Sequence, residues 1–258
     1  MRFGVCTDLG KAPAVQAAGF QFVEASVQGL LEGMKDDREW KGLEAATACP
    51  LPIPSANVMV PGTLKITGPQ ADLGKLREYM VRVLERARKT RTTIIVFGSG
   101  AARHAPEGFD RDEAKQQIIG FAKMIAPLAE ANGVTVVLEP LHSGECNIIN
   151  SVAEAMEYVR AVDHPSFQCL VDSYHLWMES EPVEHVREAI AAIRHVHVAD
   201  KDGRVAPGES GKSDYRELFG ILKQAGYTGL ISIEATFPDI PGSGPRVLEF
   251  LQGQWKDA

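Results

Sequence analysis

Short apolar runs and amphipathic stretches alternate along the whole chain. The runs are rich in Val, Ile and Phe and are five or six residues long, as is typical of buried parallel strands. The stretches between them repeat apolar side chains at a period near 3.6, as Leu76, Met80 and Val83 do in one of them. This alternation predicts an α/β fold with parallel strands.

Eight strands and eight helical segments follow from the pattern. The predicted strands are Arg2–Thr7, Phe22–Ser26, Ile53–Asn57, Thr93–Phe97, Val134–Glu139, Phe167–Asp172, His195–Ala199 and Gly229–Glu234. The predicted helices are Lys11–Ala18, Leu43–Ala48, Leu73–Thr90, Asp112–Asn132, a helix capped by Ser151 and ending at Val162, Val183–Ile193, Tyr215–Ala225 and Pro245–Trp255. No linker or low-complexity segment interrupts them, so we expect one domain over residues 1–258, folded as an eight-stranded α/β barrel.

Composition narrows the class of protein. The length of 258 residues suits one such barrel, and an apolar fraction of 45% is ample for its core. The net charge of −7, without a block of basic residues, disfavours binding to nucleic acid. The four cysteines form no CxxC motif, and neither a signal peptide nor an apolar run of 18 residues is present. These features predict a soluble cytoplasmic protein without a membrane segment.

Polar residues end the last four apolar runs, which read VTVVLE, FQCLVD, HVHV and GLISIE. The residues are Glu139, Asp172, His197 and Glu234. A buried unpaired carboxylate costs several kcal/mol, so a charge in this position needs a partner. Any one of them alone is typical of a solvated strand end, but all four lie at the carboxyl ends of consecutive predicted strands, where barrel enzymes assemble their sites. Carboxylates with an imidazole suit one hard divalent cation, and the pattern therefore predicts a metal site at this face.

Further polar residues follow the same strands. Glu145 lies six residues after Glu139, His175 follows its strand in VDSYH, and Arg204 lies in HVADKDGR. We expect these three side chains to surround the metal site. His195 precedes His197 by two positions and therefore points to the same face one layer deeper, as a core histidine.

Two long Gly-rich loops, Val58–Gly68 and Phe97–Phe109, follow the third and fourth strands. Ser99, Gly100 and Arg103 in the second loop have the backbone N–H groups and the positive charge that hold a phosphate. The same three residues are equally typical of a tight turn followed by a surface arginine. The sequence leaves both interpretations open.

The segments LEPLHSGECNIIN, VDSYH, HVHVADKDGR and GYTGLISIE together resemble the xylose isomerase-like barrel superfamily. Within it the chain is most similar to the isomerases and epimerases of sugars and sugar phosphates, including the ketose 3-epimerases. The resemblance implies a (β/α)8 TIM barrel and one divalent metal, with Mn²⁺ as the first expectation and Mg²⁺, Co²⁺ or Zn²⁺ as alternatives. It also makes a homo-oligomer a possibility.

The resemblance also assigns expected roles to residues. It implies that Glu139, Asp172, His197 and Glu234 bind the metal, that Glu139 and Glu234 also act as acid and base, and that Glu145, His175 and Arg204 contact the substrate. Removing a proton beside a sugar carbonyl produces an enediolate, which a divalent cation stabilises as a Lewis acid. We therefore expect a metal-dependent isomerase or epimerase acting on a sugar or sugar phosphate through a metal-stabilised enediolate.

Three other functions use the same barrel. A metal-dependent lyase or dehydratase acting on a keto-polyol or keto-glycoside would begin with the same proton abstraction, and the sequence does not separate elimination from epimerisation. An abasic-site DNA endonuclease would need further histidines where residues 55–57 and 97–99 stand, and an Asp-x-His where PGESGK stands, so it is less expected. A sugar-binding protein would have little need of both Glu139 and Glu234.

Overall fold

The computed structural model describes residues 1–258 as eight parallel strands closed into a barrel in chain order. The strands are β1 Arg2–Cys6, β2 Phe22–Ser26, β3 Ser55–Asn57, β4 Ile94–Phe97, β5 Thr135–Leu138, β6 Phe167–Asp172, β7 Ile193–Val198 and β8 Leu230–Ile233. Strand β1 pairs with both β2 and β8, which closes the ring. The predicted eight-stranded α/β barrel is confirmed.

Helices connect the strands and cover the barrel. They are α1 Ala12–Ala17, α2 Val27–Leu30, α3 Gly42–Ala48, α4 Leu73–Thr90, α5 Gly100–Arg103, α6 Arg111–Ala131, α7 Val152–Val162, α8 Ser173–Met178, α9 Glu184–Ala189, α10 Arg216–Gln224 and α11 Ile240–Asp257, with short 3-10 turns at Leu9–Lys11 and Ile190–Ala192. None of these helices is both long enough and apolar enough to cross a membrane.

Local side-chain contacts set several helix starts. Asp72, Asp110 and Ser151 each accept a hydrogen bond from the backbone N–H three residues later, at 3.0, 2.8 and 3.0 Å. These bonds satisfy N–H groups that a helix leaves unpaired at its first turn. The starts of α4, α6 and α7 therefore follow directly from Asp and Ser residues in the sequence.

The interior of the barrel has an apolar side and a polar side. Val96, Val137 and Leu170, from β4, β5 and β6, form a small apolar cluster separate from the main core. Val137 and Leu170 each precede a strand-end carboxylate by two positions, so they share its face of the sheet. Strands β2, β3, β7 and β8 instead contribute Glu24, Ser55, His195 and Ser232, all fully buried.

Candidate metal and active site

The four strand-end residues converge at the carboxyl end of the barrel. One ligand atom from each of Glu139, Asp172, His197 and Glu234 lies within 4.8 Å of those of the other three. They come from β5, β6, β7 and β8 or from the residue directly after the strand. The structure thus brings together the set that the sequence picked out, and their role as metal ligands stays a prediction.

Asp172 shows why a cation fits this cluster. Its Oδ1 accepts the backbone N–H of Tyr174 at 2.6 Å and so caps α8. Its Oδ2 is buried and has no hydrogen-bond partner, with the nearest Arg204 nitrogen 3.8 Å away. An unpartnered buried carboxylate oxygen is unfavourable unless a positive charge lies beside it. Together with this atom, the carboxylates of Glu139 and Glu234 and one nitrogen of His197 form a set that suits a hard divalent cation.

The cluster perturbs the pKa values of its members. Burial, followed by the charge of Glu234, raises the pKa of Asp172 to about 6, and the same two causes raise that of Glu139. Burial alone would raise the pKa of Glu234 too, but His197 and Arg204 lower it to about 2. Burial also opposes the charge of His197, yet the surrounding carboxylates hold its pKa well above the usual range. Opposed shifts of this kind are typical of functional sites.

The raised pKa of Asp172 predicts how pH changes the stability of the metal-free protein. The folded protein keeps the Asp172 proton up to a pKa of about 6, whereas the unfolded chain loses it near 3.8. The stability that this group contributes is therefore present below the lower value and lost as pH rises through the higher one. Relative to an Asp172→Asn variant, the metal-free protein should melt at progressively lower temperature across this window.

Thermal melts of EDTA-treated protein at several pH values check this expectation. Mn²⁺ binds the ionised carboxylate, so saturating Mn²⁺ should raise the melting temperature more as pH increases. A melting-temperature difference between the two metal-free proteins that does not change between about pH 4 and about pH 7 would contradict the shift.

Arg204 links two acidic residues at the rim of the site. Its guanidinium donates to Glu145 Oε1 at 2.8 Å and to Glu234 Oε2 at 2.6 Å. The guanidinium carbon also lies 4.7 Å from the ring centre of Tyr174. The backbone at Arg204 adopts a left-handed φ of 48°, directly after Gly203 with a φ of 77°. The structure therefore places Glu145 and Arg204 beside the four strand-end residues.

His175 presents a proton donor to the same space. Its Nδ1 accepts the backbone N–H of His142 at 3.1 Å, so the neutral ring carries its proton on Nε2. Burial lowers the pKa of His175 to about 4, which keeps the ring neutral near pH 7. The Nε2 atom lies 3.9 Å from Asp172 Oδ2 and 3.5 Å from an Arg204 nitrogen. His175 is thus oriented to donate a hydrogen bond into the site.

His142, Glu145 and His175 also lie close enough to suggest a second metal. His142 Nδ1 accepts the N–H of Gly144 at 3.1 Å, so its Nε2 also carries a proton, and this atom faces Glu145 Oε1 at 3.2 Å. A histidine needs a free lone pair to bind a metal. Both rings instead present N–H groups, and the cluster is better described as donors around Glu145.

Arg103 fits neither interpretation that the sequence left open, because it is neither a surface arginine nor free to hold a phosphate. The side chain is fully buried, and its guanidinium donates to the backbone carbonyls of Phe97 at 2.8 Å and Glu139 at 2.7 Å. It therefore anchors the Glu139 strand end and is not available to a ligand. Ser99 and Gly100 do line the cavity, but Ser99 Oγ already accepts the N–H of Val60 at 2.9 Å.

Three residues of the site were not found from the sequence. Asn57 donates its side-chain N–H to Glu234 Oε1 at 2.8 Å, and Glu24 pairs with His197 Nε2 at 2.9 Å. Gly98 lies so close to Glu139 that a Cβ atom there would be 2.3 Å from Oε2. The available signal was a Glu in the middle of the otherwise apolar run FVEAS, a charge that needs a buried partner.

A cavity of about 270 Å³ opens over the cluster. Its lining includes four charged residues, Glu139, Glu145, Arg204 and Glu234. The rest is small or apolar and is made by Val58, Val60, Gly62, Gly98, Ser99, Gly100, Ala101 and Leu141. Its size suits a small polar molecule whose reactive end faces the carboxylates.

Known proteins resemble the chain in sequence and fold. The D-psicose 3-epimerase of Ruminiclostridium cellulolyticum is 28% identical over 120 residues, which are 46% of this chain and 40% of that protein. The match covers less than half the length of the first curated relatives. Among solved structures, the apo 3-keto-D-glucoside 4-epimerase YcjR from E. coli superposes with a TM-score of 0.83 at 21% identity, covering 98% of this chain and 99% of that one.

A further solved structure, of the IOLI protein with a bound zinc atom, has a TM-score of 0.73 at 17% identity and covers 100% of this chain and 97% of that one. At these identities the two structures show a shared fold. The family model described as the xylose isomerase-like TIM barrel matches residues 12–252, nearly the whole chain. The chain therefore belongs to the xylose isomerase-like TIM barrel family.

Proposed function

We propose that the chain is a divalent-metal-dependent isomerase or epimerase of a small uncharged sugar. The observation that carries the proposal is the convergence of three carboxylates and one imidazole, with the unpartnered Asp172 Oδ2 among them, beneath a small cavity. The epimerase names of the relatives and the zinc named for one structural neighbour support the same chemistry.

Each side chain then has a defined task. A divalent cation held by Glu139, Asp172, His197 and Glu234 would supply Lewis-acid stabilisation of negative charge on neighbouring sugar oxygens. Glu139 and Glu234 reach the cavity from different strands, so one takes a proton from the carbon beside the carbonyl and the other returns one. Asn57 and Arg204 orient the two oxygens of Glu234 through the hydrogen bonds described above. His175 donates a hydrogen bond from its Nε2–H group to a sugar oxygen and keeps its proton.

The charge around the cavity favours an uncharged sugar over a sugar phosphate. Four carboxylates, those of Glu139, Asp172, Glu234 and Glu145, surround a single arginine that already pairs with two of them. Even with a divalent cation, a phosphate dianion would meet uncompensated negative charge. Lys65 does not line this cavity, and its ammonium group donates to the carbonyl of Ala101 at 2.9 Å.

A screen of free ketoses and their phosphates, with Mn²⁺ and after EDTA treatment, tests the proposal. We expect turnover of at least one free ketose only with metal, and a kcat/KM at least about tenfold lower for its phosphate, a loss equal to about 1.4 kcal/mol. In D₂O, epimerisation places deuterium on one carbon without loss of a group. Full turnover after exhaustive EDTA treatment would contradict metal dependence, and an unsaturated ketone as product would identify a lyase instead.

A further inference from the structure

A fully buried carboxylate lies directly beneath the four proposed metal ligands, and the proposed chemistry gives it no role. Glu24 of β2 is 0% exposed. Its Oε1 lies 2.9 Å from His197 Nε2. Its Oε2 accepts hydrogen bonds from His195 Nε2 at 2.6 Å, Ser55 Oγ at 2.7 Å and Ser232 Oγ at 2.6 Å. Four side-chain donors thus surround one anion in the interior of the barrel.

The strand geometry connects this network to the site above it. Three strands each supply one member of the network and, two residues later, one residue at the cluster, so both side chains point into the barrel in successive layers. The pairs are Ser55 with Asn57 on β3, His195 with His197 on β7, and Ser232 on β8 with Glu234 directly after it. On the opposite side of the barrel the same layer is apolar. The carboxylate of Glu24 therefore lies on the polar side of this layer, in contact with His197.

His197 needs the contact between its Nε2 and Glu24 because two other carboxylates face its Nδ1. Nδ1 faces the cluster, 2.8 Å from Glu139 Oε1 and 3.6 Å from Glu234 Oε2. Two carboxylates there attract a proton to Nδ1, and a proton on Nδ1 prevents it from binding a metal. A carboxylate at Nε2 competes by holding the ring proton on the far side, which leaves the Nδ1 lone pair directed at the cluster.

We propose that Glu24 is a positioning residue that fixes the Nε2–H tautomer and the ring orientation of His197, so that Nδ1 serves as the nitrogen ligand of the metal. The inference rests on the proposed metal centre and extends it to a residue that contacts neither the substrate nor the metal. A purely structural role for Glu24 would change stability alone. The positioning role changes metal affinity and the site of the histidine proton.

Two substitutions separate these roles. Glu24→Gln keeps the shape and removes the charge, and Glu24→Asp keeps the charge but withdraws it from His197 by one methylene. We expect either variant, once folded, to bind Mn²⁺ about 10- to 100-fold more weakly in an EPR titration. Ser55→Ala is the matched control, because it removes one donor to Oε2 and leaves the contact between Glu24 and His197 intact. We expect its Mn²⁺ affinity to fall by less than the roughly tenfold that either Glu24 variant loses.

An NMR measurement on the unsubstituted protein tests the proposal even if the Glu24 variants do not fold. With ¹⁵N-labelled histidine and Zn²⁺, we expect the His197 proton on Nε2 and the metal at Nδ1. A His197 whose metal-bound nitrogen is Nε2, or Mn²⁺ binding weakened less than tenfold in both folded variants, would overturn the inference. If the unsubstituted protein binds neither Mn²⁺ nor Zn²⁺, the proposed metal centre itself fails, and the role of Glu24 fails with it.

Discussion

Replacing Glu139 by Gln is expected to abolish turnover while leaving the barrel folded. The substitution removes a charged metal ligand and a proton-transfer group together, and positioned acid–base catalysis alone is worth about 10²–10⁴-fold. The fold is retained because Gln has nearly the same shape, and because Arg103 holds this strand end through the backbone carbonyl, which does not change. Removing one of several buried like charges also relieves repulsion in the metal-free protein.

Steady-state kinetics on the active ketose at saturating Mn²⁺, with circular dichroism to verify folding, measure this effect. Saturating metal separates lost metal binding from lost proton transfer, because only the first is recovered by more Mn²⁺. Glu249→Gln, an exposed change on α11, is the matched control and should keep full activity. Full activity in folded Glu139→Gln protein would refute the assigned acid–base role.

The alternation of strand and helix was enough to predict the architecture, since hydrophobic period and strand length are local properties. Strands β2 and β6 and helix α4 begin and end where the pattern places them. Helix α11 does not, because it begins at Ile240 and not at Pro245. Asp239 caps it by accepting the N–H of Gly242, and this capping outweighs the poor helix propensity of the two glycines that follow.

Short helices inside loops were missed for a related reason. Helices α2, α5 and α8 have four to six residues; α2 and α8 directly follow β2 and β6, and α5 begins three residues after the end of β4. Segments of this length show no measurable period, and their caps come from the strand end itself, as Ser26 and Asp172 illustrate. Of the three, only α8 contains His175, and this helix places the residue beside the four strand-end side chains.

Some site residues can be recognised from their own segment of the sequence, whereas others are defined only by contacts with distant segments. Glu139, Asp172, His197 and Glu234 were recognisable because each ends its own apolar run. Glu24 contacts His195 and His197, which lie 171 and 173 positions later in the chain. Asn57 contacts Glu234, which lies 177 positions later, so only the closed sheet defines these pairs. Arg103 illustrates the converse: a charged residue in a Gly-rich loop usually faces solvent, but here two backbone carbonyls hold it inside.

Gly98→Ala is expected to weaken metal binding by at least about tenfold and to lower kcat, with little change in fold. A Cβ atom at this position would lie 2.3 Å from Glu139 Oε2, well inside van der Waals contact, so the carboxylate must move away from the cluster. The obstacle is the far end of a flexible side chain, and Gly98 is not among the glycines with positive φ, so the backbone tolerates alanine. Outer-sphere changes that misplace a ligand typically cost 10- to 100-fold in metal affinity.

Mn²⁺ titration and thermal melts of Gly98→Ala and Gly120→Ala proteins measure the effect of the added methyl group. Gly120 lies within α6, and a Cβ there meets no atom within 4 Å, so Gly120→Ala should leave metal affinity unchanged and stabilise the fold by about 0.5–1 kcal/mol. Because only one of the two methyl groups meets a proposed ligand, a selective loss of Mn²⁺ affinity identifies the Glu139 carboxylate as a metal contact. Equal Mn²⁺ affinities in the two alanine variants would show that Glu139 Oε2 does not bind the metal where the structure places it.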